Sequence, residues 1–487
     1  MPSDPLDSKS SVTPDAASGP GLVTDELIQL EVGPVAHGGH CVARYEGRVV
    51  FVRHALPGEV VLARLTESAP DAKFWRADTA EVLEPSPDRV PAPCPVAGIC
   101  GGCDWQHADL SAQRRMKADV VMEQLRRIAR LDEVPTVVVE GPEGDGLGWR
   151  TRVRFTVDTE GRPGLRKHRS HDVVAVKECL IASPAASALG ITQARWPGAL
   201  AVEVVEPSTG APLVVAEAVA GRKGPSLRMP KLGEACVATR DDEGLHQVKG
   251  RTWVSEEVTV AGAPRPFRVT GTGFWQVHPA AAQTLLDAVL EAAQAQPGER
   301  AVDLYGGVGL FAAGLADQVG VTGSVLLVEG DARASADARR GLHDLGQVRV
   351  ENGSVPRVLP RLAADGGPLA QGGADVIVLD PPRSGAGKDV MKQVAALAPR
   401  VVVYVACDPA ALARDLAFAS GLGYELDGLR AFDLFPMTHH VECVAVLVPA
   451  GERPSPSEVP AAAESSRRPA PNRRRQGGSG FGRSPRR

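Results

Sequence analysis

Two side chains far apart in the chain have types and settings suited to covalent chemistry. Cys407 stands where the apolar run Val401-Val402-Val403-Tyr404-Val405-Ala406 stops, just before Asp408-Pro409 and a helix predicted over Pro409 to Phe418. A helix N-terminus lowers a thiol pKa and makes the sulfur a better nucleophile. Glu442, in Thr438-His439-His440-Val441-Glu442-Cys443-Val444, lies between a proline-containing loop and the apolar run Val444 to Val448. A carboxylate at such a boundary can serve as a general base. The neighbouring His439 and His440 lack the helical spacing of a metal pair and read as loop histidines. Four further thiols form a second centre: Cys94-x5-Cys100-Gly-Gly-Cys103, completed by Cys179 in Lys177-Glu178-Cys179-Leu180-Ile181. Four thiolates suit zinc or an iron–sulfur cluster. The spacing holds a single C-x2-C, Cys100 to Cys103, without the second pair usual for zinc ribbons, which favours a [4Fe–4S] cluster.

A third stretch carries ligand-binding features. Val302-Asp303-Leu304-Tyr305-Gly306-Gly307-Val308-Gly309-Leu310-Phe311 reads as a short strand ending in glycines, followed by a helix. Glycines let the backbone turn tightly and bring the first helical amides against a ligand. About 20 residues on, Val325-Leu326-Leu327-Val328 ends in Glu329, placed to hold the two hydroxyls of a ribose. Gly307-Val308-Gly309-Leu310-Phe311-Ala312 also fits the dinucleotide fingerprint, so an NAD-dependent oxidoreductase is an alternative at this stage.

Strand and helix patterns must alternate to bring these groups together. After Glu329 they do: Val348 to Glu351, helical 355–363, Asp375 to Leu379 ending at Asp380-Pro381-Pro382-Arg383, then the run to Cys407. This is a parallel, doubly wound pattern, and ligands of such sheets sit at the carboxyl ends of the strands. Asp303, Glu329, Asp380 and Cys407 are therefore expected around one crevice. Upstream, short β-type runs at Leu27–Val32, Arg48–Val52, Val60–Leu65 and Thr79–Leu83 predict a small closed barrel over 22–86. Arg44, Arg48, Arg53, Phe74, Trp75 and Arg76 on it mix cations with aromatics, as single-strand binding surfaces do. A central α+β region, 87–265, holds the cysteines and a helix predicted over 109–131, decorated by Arg114, Arg115, Lys117, Arg126, Arg127 and Arg130. Arg150, Arg152 and Arg154 alternate on one predicted strand face, with Arg166 and Lys167 nearby, as candidate phosphate contacts. The doubly wound part spans 266–450. Residues 1–21 and 451–487 lack apolar periodicity and are expected to be disordered tails.

The 487 residues carry a net charge of −5. Eight arginines from Arg467 onward take that −5 to −13 for the remainder. A nucleic acid would have to be held by local basic patches against an average repulsive field. Eight cysteines without a secretory pattern favour a metal centre over disulfides. No apolar run is long enough to span a bilayer, so a cytoplasmic protein with no membrane association and no evident obligate protein partner is expected.

Taken in order, Phe274-Trp275-Gln276-Val277, Asp303-Leu304-Tyr305-Gly306-Gly307-Val308-Gly309, Leu379-Asp380-Pro381-Pro382-Arg383, Ala406-Cys407-Asp408-Pro409 and His440-Val441-Glu442 resemble the RNA 5-methyluridine methyltransferase family. The resemblance covers nearly all of 22–449. It departs from the family's usual residues at Gly306, His278, Ala406 and Asp408. It implies a class I methyltransferase sheet at 266–450, a TRAM barrel at 22–86 and an iron–sulfur central domain. It further implies that Gln276, Tyr305, Glu329 and Asp380 bind S-adenosylmethionine. Cys407 would be the nucleophile, Glu442 the base, and Cys94, Cys100, Cys103 and Cys179 the ligands of a [4Fe–4S] cluster. The implied activity is methylation of C5 of a uridine in RNA, with ribosomal RNA favoured over tRNA as partner.

Overall fold

The computed structural model describes residues 27–219, 227–271, 273–364, 369–370 and 372–451. Apart from Gly451, the expected disordered tails 1–21 and 451–487 lie outside the described residues. The described residues up to Ala450 belong to one packed unit.

At the N-terminal end, five strands close into a barrel in the order Leu27–Val35, Cys41–Tyr45, Arg48–Arg53, Phe74–Glu84, Val60–Glu67. Successive residues of a strand point to opposite faces, so Ile28, Leu30 and Val32 fill the barrel with Val50, Val52, Val61, Ala63 and Leu65. Phe74 is exposed and Trp75 half-buried. Phe74 lies outside the core, covered by the Arg76 guanidinium at 5.2 Å, whereas Trp75 packs against the core and is covered by Arg48 at 4.7 Å.

The helix Leu110–Gln124 starts at Asp109, whose carboxylate accepts a hydrogen bond from the Ala112 amide at 2.9 Å. It is shorter than predicted. Its last turn widens into a π turn over Leu125–Ala129 and stops at Arg130, in the left-handed region with φ 57°. Lys117 departs from the solvated cationic face expected of it: it is fully buried and ion-paired with equally buried Asp433.

The central part is a seven-stranded sheet in which Arg152–Val157 pairs with Ala199–Val205 and Pro163–Arg166. Its arginine row is not a free phosphate-binding face. Arg152 is buried against Glu256 at 3.2 Å, and Arg154 bonds Glu217 at 2.7 Å, so neighbouring carboxylates neutralise both. Arg166 and Lys167 remain at the surface.

In the C-terminal sheet, Val348–Asn352, Ser324–Glu329, Arg300–Leu304, Val376–Leu379 and Val401–Ala406 run parallel in that spatial order. The chain winds outward from Arg300–Leu304 in both directions, which creates a switch point beside Val376–Leu379. Alternate residues feed two cores. Val325, Leu327, Val376 and Val378 pack under helices Ala281–Ala293 and Leu310–Val319. Val302, Leu304, Ile377 and Leu379 pack under Val355–Ala363, Gly387–Ala396 and Pro409–Ser420. The strand Glu442–Pro449 then inserts antiparallel between Val401–Ala406 and Tyr424–Phe432.

Candidate active site

The inserted strand explains how two residues distant in sequence meet. Running antiparallel, it begins at the carboxyl end of the parallel strands. Its register pairs Cys443 with Ala406 and Glu442 with Phe432. Glu442 and Cys407, one residue beyond that pair on either strand, therefore emerge at the same edge. Both line a cavity of about 610 Å³, together with Gln276, Tyr305, Glu329 and Asp380. The six residues singled out for nucleophile, base and cofactor are thus brought into one crevice. A larger cleft of about 820 Å³, beside Trp253 and Arg268, contains none of them.

The glycine turn shapes one wall. Tyr305 adopts φ 64°, unusual for a residue with a side chain, and Gly307 and Gly309 follow at 55° and 95°. The Tyr305 amide donates to Val328 O at 2.9 Å, fastening the turn to the next strand. A Cβ on Gly306 would come within 2.6 Å of the Leu327 side chain and 2.8 Å of Asp303 Oδ2, so this chain has no room for a larger residue there. Glu329 receives the Gly307 amide at 2.9 Å on one oxygen and the Asp331 amide at 2.5 Å on the other. Its carboxylate is thereby fixed at the strand end, with acceptor capacity left for a ligand.

Asp303, expected in the crevice, stands behind the turn instead. It is fully buried and accepts the Ala312 amide at 3.0 Å through Oδ2, while Oδ1 has no partner. Burial raises its pKa to about 7, reinforced by the negative charges of Asp380 and Glu329. Burial likewise raises Asp380 to about 7. Arg150, expected to face RNA, also lines the cavity, with its guanidinium 5.9 Å from the Trp149 ring.

The electrostatics of the reactive pair run opposite to the expectation from a helix N-terminus. Burial pushes the Cys407 thiol up to about 12, with Glu442 and Asp380 adding to the effect and Arg383 opposing it. Glu442 is raised well above the ordinary carboxyl range by burial and Asp380, again against Arg383. Removal from water next to carboxyl groups outweighs the dipole of Pro409–Ser420. In the free protein burial thus disfavours ionisation of both groups, and Arg383 is the cation that favours it.

Behind Cys407 lies a smaller cavity of about 80 Å³, walled by His37 and Gly39 of the barrel, Arg383, Asp408 and His440. His37 Nε2 meets Asp408 Oδ2 at 3.0 Å, and Asp408 also caps the following helix through the Ala411 amide at 2.8 Å. Arg383 lies 3.3 Å from His440 Nε2. Sequence reasoning gave no role in the site to Arg383, His37 or Asp408. Arg383 and Asp408 carried a local signal, as members of Leu379-Asp380-Pro381-Pro382-Arg383 and Ala406-Cys407-Asp408-Pro409, and His37 carried none.

Cys94, Cys100, Cys103 and Cys179 line one small pocket, and all four are free thiols. The Gly102 amide points at Cys100 Sγ at 3.4 Å, and the amides of Ala182 and Ile181 point at Cys179. Burial raises the pKa of Cys100, Cys103 and Cys179, and mutual repulsion between thiolates adds to it. Such a set ionises readily only beside positive charge, as a metal centre would supply. Among the described residues, no three His, Cys, Asp or Glu side chains converge on the position of a single metal ion. Among them also, no helix is long and apolar enough to cross a membrane.

The tRNA (uracil-5-)-methyltransferase family model matches residues 356–449, and the TRAM domain model matches residues 26–78. An RNA methyltransferase of Streptomyces avermitilis is 48% identical over 441 residues, covering 88% of this chain and 99% of its own. The chain belongs to the RNA uracil-5-methyltransferase family. The 23S rRNA (uracil(1939)-C(5))-methyltransferase RlmD of Cronobacter sakazakii is 32% identical, covering 87% of this chain and 97% of the relative. The crystal structure of the tRNA (uracil-54, C5)-methyltransferase of Pyrococcus abyssi, in complex with S-adenosyl-L-homocysteine, shares the fold. Its TM-score is 0.63 at 22% identity, over 86% of this chain and 100% of that one. This RNA (uracil-5)-methyltransferase thus carries the TRAM barrel expected at its N-terminal end, and family membership displaces the oxidoreductase alternative.

Proposed function

We propose that this methyltransferase transfers a methyl group from S-adenosylmethionine to C5 of a uridine in 23S ribosomal RNA, through a covalent bond from Cys407 to uracil C6. The observation that carries the reading is the shared cavity: Cys407, Glu442 and the glycine turn all open on it. S-adenosylmethionine supplies an electrophilic methyl group when bound. Gln276, Tyr305, Glu329 and Asp380 are the residues assigned to hold it, with Glu329 on the ribose.

Uracil C5 is too weakly nucleophilic to take a methyl group unaided. Addition of the Cys407 thiolate to C6 turns the ring into an enolate with carbanion character at C5. Arg383 is assigned to favour the thiolate, because it is the cation whose charge reaches both Cys407 and Glu442. Once C5 is methylated, Glu442 takes the C5 proton and Cys407 departs. Glu442 must therefore be ionised at that stage, which Arg383 favours and burial opposes. The target base must leave its stack to reach the crevice.

The four thiols are assigned to a [4Fe–4S] cluster. Four thiols lining one pocket are a donor set that such a cluster uses. No redox step is required, so its role is read as structural. Ribosomal RNA is preferred to tRNA because RlmD, named for uracil 1939 of 23S rRNA, is alike over nearly the whole chain. Mass-spectrometric mapping of 5-methyluridine in 23S rRNA and tRNA, from cells with and without this chain, tests the assignment. A site lost from tRNA alone would reverse it.

A further inference from the structure

Glu442 is delivered by a turn whose conformation is unusual. Phe435, Pro436, Met437 and Thr438 form a β-turn closed by the Thr438 amide on Phe435 O at 3.2 Å. Pro stands at its second position and Met437 at the third, with φ 67°. This is a type II turn, which ordinarily requires glycine or asparagine at that third position. Met437 is instead a buried residue, packed with Trp149 and Ile181.

Three groups outside the turn hold it there. The amides of Asp104 and Trp105, next to Cys103, both donate to Met437 O, at 2.9 and 3.0 Å. Fully buried Gln113 accepts the Met437 amide at 2.8 Å and donates to Trp105 O at 3.1 Å, joining the two segments. Asp104 Oδ2 receives the His439 backbone amide at 3.2 Å and lies 2.7 Å from His439 Nδ1. Strained backbone persists where the surroundings over-determine it.

We infer that Asp104 and Gln113 are positioning residues for the catalytic base: Gln113 holds the Met437 amide and the Asp104 carboxylate holds His439, and together they keep the turn in its left-handed conformation and set where the strand bearing Glu442 begins. The latch starts one residue past Cys103, and the thiol pocket thereby connects to the base without touching substrate. The kinetic consequence rests on the reading of Glu442 given above; the structural one does not.

The test compares Asp104→Ala, Asp104→Asn and Gln113→Ala in the iron-loaded full chain. Amide hydrogen exchange should show protection lost over 437–442 in both alanine variants and unchanged over 302–311. With RNA substrate, kcat should fall about tenfold or more, since a small misplacement near the reacting atoms is costly, while KM for S-adenosylmethionine stays within about twofold. Covalent protein–RNA adduct should accumulate on denaturing gels. Asp104→Asn keeps an oxygen acceptor for His439 and should restore wild-type behaviour. Wild-type exchange and kcat in both alanine variants would overturn the inference. So would equal loss of cofactor affinity and of protection throughout the chain. An effect confined to Asp104→Ala and accompanied by iron loss would assign it to the thiol pocket and overturn the latch. If Glu442→Gln itself forms no adduct and turns over normally, the reading of the base fails while the exchange result still decides the latch.

Discussion

Asp303 offers a direct measurement of the electrostatic cost built into the cofactor side of the crevice. Its carboxyl is fully buried, one oxygen has no partner, and its pKa stands near 7 in place of 3.8. The folded chain therefore keeps this proton to higher pH than the unfolded chain does. Stability conferred by the rest of the fold is eroded as pH rises from about 4 to about 7, and the loss is complete above that window. A displacement of roughly three units corresponds to about 4 kcal/mol at 1.36 kcal/mol per unit. At about pH 5 less than half of it is felt, and at about pH 8 nearly all. Asp303→Asn keeps the shape and the acceptor for the Ala312 amide but cannot ionise. Relative to wild type, the variant should gain about 2–3 kcal/mol on going from pH 5 to pH 8, whatever its offset at the lower pH. Urea unfolding of the ligand-free protein at the two pH values, followed by tryptophan fluorescence, reads the difference. A variant-minus-wild-type gap that does not change with pH would mean that Asp303 is already ionised in the fold, and the reasoning fails.

Three other outcomes are expected. Lys117→Met removes the closer of the two cations at buried Asp433, leaving only Arg114 at 3.6 Å, and should cost about 3 kcal/mol in thermal or urea unfolding; Lys117→Met with Asp433→Leu should recover part of it, and additive losses would contradict the pairing. Glu442→Gln should bind S-adenosylmethionine normally and collect covalent RNA adduct, because elimination is blocked after methyl transfer; normal turnover without adduct counts against the base. Cys179→Ala should lose iron and acid-labile sulfide together, as measured by chemical analysis of anaerobically purified protein, whereas stoichiometric zinc in the wild type would exclude the cluster.

The parallel sheet and its site were legible because period and punctuation agreed: buried apolar runs ending in Asp380, Glu329 and Cys407 are what strands covered on both faces require. Glu442 was legible as a boundary acid, but its meeting with Cys407 depends on an antiparallel register that no local pattern encodes. The helix around Lys117 illustrates the opposite failure. Its cations looked solvated, and only the distant Asp433 shows why one of them is buried. The arginine row at 150, 152 and 154 misled for a similar reason. Alternation fixed the strand, while Glu217 and Glu256, far away in sequence, neutralise two of the three. The thiol pKa was misjudged because a helix terminus is visible in sequence and desolvation is not.

The strand that begins at Glu442 is made after both of its neighbours and must enter a slot between them. On the proposed mechanism, a chain stopped short of residue 442 holds the Cys407 thiol but has no base with which to release a uridine it has captured. Completing the sheet and acquiring turnover are then one event. Slowing that last insertion, for example with a proline within 444–447, should yield protein that binds cofactor yet never finishes a cycle.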